Sequence, residues 1–154
     1  LAMKSWAAGR RRPYATFHLP PAVAKRVENR SWKPPAWLIG QRIAIHAGKH
    51  IDLEAAKFIK ERAVEAWSRE TLFSMDGPAR DEGIIGTAIL KGVVTQADMR
   101  VAMLAVTHRT VLRWFSGPFG WVLDDVRTLA KPIPCKGQRG LWDLPAELVG
   151  RLAA

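Results

Sequence analysis

The chain has 154 residues, 48% of them hydrophobic and 25% charged, with a formal net charge of +10. That composition describes one globular domain with its own core and excludes disordered, fibrous and two-domain chains. No apolar run has the length of a membrane span, and Cys135, the single cysteine, excludes an intrachain disulfide and fits a reducing cytoplasm.

Residues 1–12 read as a loose basic lead, and 13–154 as a single domain. "PPAVAKRV" begins with prolines suited to the first turn of a short helix. Residues 27–32 alternate as a strand, with Val27 and Asn29 on one face and Glu28 and Arg30 on the other. "KPPAWLIG" breaks regular structure and is a loop. "QRIAIHA" is a second strand that points Ile43, Ile45 and Ala47 one way and Arg42, Ala44 and His46 the other. Residues 52–70 form the clearest helix, capped by Asp52, with Ala56, Ile59, Ala63 and Trp67 as its apolar stripe. "GIIGTAILKGVVT" is a long strand whose glycines suggest bulges or tight curvature. A short helix and an irregular stretch fill residues 96–115, and "GPFGWVLDD" is a turn followed by a strand. "RTLAKPIPCKGQRGLWDLP" gives two short strands around a Gly-rich turn, and "PAELVGRLAA" closes as a helix. Short strands, glycine bends and a few helices make an α+β domain on a small curved sheet.

The charge is unevenly placed. Residues 1–50 hold ten Lys and Arg against one acid (+9), 51–100 hold seven against nine (−2), and 101–154 hold seven against four (+3). Nearly all the excess belongs to the segment that contains "KRVENRSW". A polyphosphate is the natural partner of such a segment; a solvated face that serves solubility is the alternative.

Stereotyped chemistry is missing. His18, His46, His50 and His108 make no metal-ligand spacing with one another or with Cys135, so no metal and no cofactor are expected. There is no Walker loop, and "GIIGTA" lacks the dinucleotide spacing. No serine stands in a nucleophile elbow.

"KRVENRSW", "GQRIAIHAGK", "GIIGTAIL", "GPFGWVL" and "PIPCKGQRGLWDL" follow one another in the order seen in ASCH domains, of the PUA-like superfamily of small β-barrels. The chain resembles that family over roughly residues 20–145, through a Lys-x-x-Glu-x-Arg stretch, an "IHA" strand and "GPxGW" and "LWDL" ends. It departs where relatives carry an apolar "PWA"-like opening: here "RRPYATF" stands, with Tyr14 in the place of the tryptophan. The resemblance implies a curved β-barrel with flanking helices and a cleft suited to RNA or a modified nucleoside. Some relatives hydrolyse the acetyl amide of N4-acetylcytidine with a lysine, a threonine nucleophile and a glutamate, and nuclease activity has been proposed for others. Lys25 matches that lysine, but Glu28 stands at the threonine's place and cannot supply the hydroxyl nucleophile.

The site expected from these residues gathers around Lys25, Glu28 and Arg30. Lys25 and Arg30 would hold phosphate or a base carbonyl, and Glu28 would accept from an exocyclic amine. Trp32 would stack on the base, His46 would donate to it, and Lys49, Lys136 and Arg139 would extend a phosphate track. Trp114 is the expected rim platform, whereas Phe119 and Trp121 read as core and Trp37 as a cover of the barrel. Each residue also has a plainer role: an exposed Glu28–Arg30 pair worth about 0–1 kcal/mol, a core Trp32 and a half-buried His46.

The leading expectation is a cytoplasmic domain that binds RNA or single-stranded nucleic acid, with no membrane partner. The alternatives are a hydrolase of a modified nucleoside or a ribonuclease, with Lys25 and Glu28 as acid–base groups, and a protein-interaction module.

Overall fold

The structure is a computed structural model and describes residues 2–4, 26–48, 82–98 and 114–153. Lys25, Lys49, Tyr14 and the helix expected over 52–70 lie outside the described residues.

The described strands are β1 (Ala2–Lys4), β2 (Val27–Arg30), β3 (Arg42–Ala47), β4 (Gly83–Thr95), β5 (Phe119–Pro134) and β6 (Leu141–Trp142). They make one sheet in the order β2-β5-β4-β3-β1-β6, antiparallel except for the β1–β3 pair. Ala2–Lys4 is thus an interior strand and not part of a loose lead. "RTLAKPIP" is the continuation of β5, and "LW" pairs with β1, so the expected two short strands around a turn are not neighbours.

The long β4–β5 pair is the frame of the sheet. Its register slips at three places: between Ile84 and Gly86, Thr87 and Ile89, and Leu90 and Gly92. The first takes a step of two residues on β4 against five on β5, the second puts one extra residue on β5 and the third one on β4; such irregularities bend the ribbon and increase its twist. At the second slip the extra residue lies between Asp124 and Arg127, and Asp125 there takes a φ of 39°. A Cβ on Gly86 would stand 2.5 Å from the Arg127 carbonyl oxygen, so this glycine is what lets the two backbones approach at a bulge. The glycines of "GIIGTAILKGVVT" therefore mark bends, as their positions in the sequence predict.

Alternation along the strands separates two apolar clusters. Ile43, Ile45 and Ala47 of β3 join Leu38, Leu90, Trp121 and Leu123 in the first. Ala44 of β3 joins Ile84, Ile133 and Trp142 in the second, with Leu144, Leu148 and Leu152 packed on it. The last two leucines are four apart on α1 (Ala146–Ala153), which puts them on one face of that helix. Glu147 in its first turn and Arg151 in its last suit the helix dipole.

The β2–β3 connection, expected as a loop, contains a 3-10 turn at Ala36–Leu38. After β4, Thr95 and Asp98 form a reciprocal N-cap: the Thr95 amide and hydroxyl donate to the Asp98 carboxylate, and the Asp98 amide donates to the Thr95 hydroxyl. Residues 96–98 are helical, as expected for the start of this stretch. No helix among the described residues is long and apolar enough to cross a membrane.

Candidate functional site

Strand pairing explains why Glu28 and Arg30 are buried. Glu28 lies opposite Trp121, which in turn lies opposite Val93, and Arg30 lies opposite Phe119, which lies opposite Thr95. These two cross-strand rows share the face of the first cluster, so the alternation that unites Glu28 and Arg30 also carries them under the sheet's apolar cover. Glu28 is 1% exposed and Arg30 3%. The exposed surface pair that is the plainer reading of this strand is therefore corrected.

The Arg30 Nη2 and Glu28 Oε1 atoms are 3.6 Å apart. The Arg30 guanidinium also lies over the Trp121 ring, 5.4 Å from its centroid. Burial pulls the arginine below its ordinary value, and the negative Glu28 opposes that pull. Trp32 meets Trp121 edge to face at 4.8 Å, and the Trp121 indole N–H donates to the Trp32 carbonyl at 3.1 Å. A carboxylate, a guanidinium and two indoles are thus held together at the β2 end of the sheet. They combine acceptor, donor and aromatic groups within one largely buried cluster.

Asn29, on the other face of β2, fastens the segment that precedes β5. Its Nδ2 donates to the Trp114 carbonyl at 2.9 Å, and its Oδ1 accepts from the Ser116 amide at 2.8 Å. Trp114 itself is fully buried. The expectation of a rim platform at Trp114 is therefore corrected: its side chain is buried, and the clamp holds its backbone. Trp37, expected as a cover of the barrel, is instead exposed on the β2–β3 connection. Trp121 is core as expected, and Phe119 is half-buried, with the Lys33 ammonium 5.7 Å from its ring centroid.

His46 does not join this cluster. It lies opposite Ile84, a member of the second apolar cluster, and therefore on the other face of the sheet from Trp121. It is fully buried; its Nε2 is 3.0 Å from the Cys135 carbonyl and 3.9 Å from Glu82 Oε1, and its ring meets Trp142 edge to face. Glu82 Oε1 also accepts the Gly137 amide at 2.9 Å. A Cβ on Gly137 would overlap the imidazole, so the glycine lets the loop lie flat on His46. Lys136 and Arg139 are exposed on this loop, beyond the end of β5 opposite to the one that pairs with Glu28 and Arg30. Of the expected site residues, the structure brings together Glu28, Arg30 and Trp32; it places His46, Lys136 and Arg139 elsewhere.

The roles of Asn29, Glu82 and Gly137 were not anticipated. Nothing local in the sequence links Glu82 to a glycine on the loop after β5; only the β4–β5 pairing does. Cys135 is half-buried against the second cluster, and burial pushes its thiol up, which keeps it protonated at neutral pH. Among the described residues no group of three or more His, Cys, Asp and Glu side chains could hold a metal ion. No protein-family profile matches the sequence, and no curated protein is found to be similar to it.

Proposed function

We propose that this protein is an ASCH-type domain that binds RNA or a single-stranded nucleic acid in the cytoplasm, with one base held near Glu28, Arg30, Trp32 and Trp121. The observation that carries the proposal is the buried Glu28–Arg30 pair on the Trp121 ring, within the fifty residues that hold +9 of the chain's charge. A carboxylate and a guanidinium fixed side by side form a charged cluster behind the half-buried Trp32, the member of the group nearest to solvent and so the aromatic face a base would meet first. The five sequence blocks in ASCH order support the family. The slips along β4 and β5 support closure of the curved sheet toward a small barrel.

The test is equilibrium binding of a labelled single-stranded RNA over a range of salt concentrations, with wild type and Arg30→Lys. Binding that weakens steeply with salt, and weakens again in a folded Arg30→Lys protein that keeps the charge but loses the guanidinium fork, supports the proposal. Affinity indifferent to both salt and Arg30→Lys rules it out. Incubation of the protein with N4-acetylcytidine and with mixed RNA, followed by product analysis, tests the hydrolase alternative.

A further inference from the structure

We draw no further inference here: the strongest candidate, the surface side-chain cluster at the β5 bulge where Arg42 and Arg127 both donate to the Asp125 carboxylate, already has that carboxylate as the shared partner of its two guanidiniums, and nothing in the structure shows what ligand would take its place.

Discussion

A carboxylate and a guanidinium withdrawn from water two residues apart each lower the cost of burying the other. Removing one partner of such a pair typically costs about 3–5 kcal/mol, because the survivor stays buried and charged. Glu28→Gln is therefore expected to lower the melting temperature by about 6–20 °C for a chain of this size. Replacing both, as Glu28→Met with Arg30→Met, should restore much of that loss, and a thermal-melt double-mutant cycle measures the coupling. At this scale the sequence was half legible. Period-two alternation put Glu28 and Arg30 on one face, but a charged rung reads equally well as solvent-exposed until Trp121 of a distant strand is laid across it. Trp114 likewise reads as a rim aromatic in the sequence, and no local pattern shows that it is buried, with its carbonyl held by Asn29 from a distant strand.

Asp125 is a charged residue of the opposite kind, fully on the surface. Its carboxylate accepts from Arg127 and Arg42, and both hold it below the usual carboxylate range. A folded-state value depressed in this way contributes stability above the unfolded value, about pH 3.9, and loses it as pH falls through the folded value. Asp125→Asn should therefore lower the denaturation midpoint at neutral pH, with the difference from wild type shrinking as the pH drops below about 4. A difference that grows on acidification would contradict this assignment.

Elements were read most accurately where pattern and punctuation agreed. The bounds of β4 coincide with the long strand expected at "GIIGTAILKGVVT", whereas β5 reads in the sequence as two separate strands that part near "DDVR", where the strand bulges at Asp125 without ending. Its first proline, Pro132, lies in the slip between Thr128 and Ile133, where β5 leaves regular pairing with β4. The bulges give a sharp contrast between two glycines of β4. Gly86→Ala places its methyl against the Arg127 backbone, which cannot turn aside, and should destabilise by about 1–3 kcal/mol. Gly92→Ala meets nothing within 4 Å and should be close to neutral. Urea denaturation of the two variants checks the contrast. Asn29→Ala removes both bonds to the segment before β5, at a cost of about 1–3 kcal/mol. Amide exchange at Ser116 should speed up locally before the whole protein unfolds.

For the molecule as a whole, charge and sheet topology answer different questions. The basic excess of residues 1–50 says what kind of partner to try, but the sequence could not say which cations share a surface. His46 looked like a neighbour of Arg30 and faces the opposite way, while Lys136 and Arg139 extend from the far end of β5. Lys136 and Arg139 therefore do not continue the Arg30 cluster. With about four phosphates engaged, log affinity should fall against log salt with a slope of about −3 for a single strand. A slope near zero in filter-binding titrations would leave the charge as a solubilising feature. Duplex RNA of the same sequence should bind more weakly, because its paired bases cannot reach an indole.

β1 has a consequence for how the protein is made. Met3 pairs with Ile45 on one side and Leu141 on the other, so among the described strands the first in sequence completes its hydrogen bonding only with the last. During translation Ala2–Lys4 must wait, or rest on β3 alone, until nearly the whole described chain has left the ribosome. The final zipper of the sheet is thus a late, long-range event, and such loop closures are entropically slow.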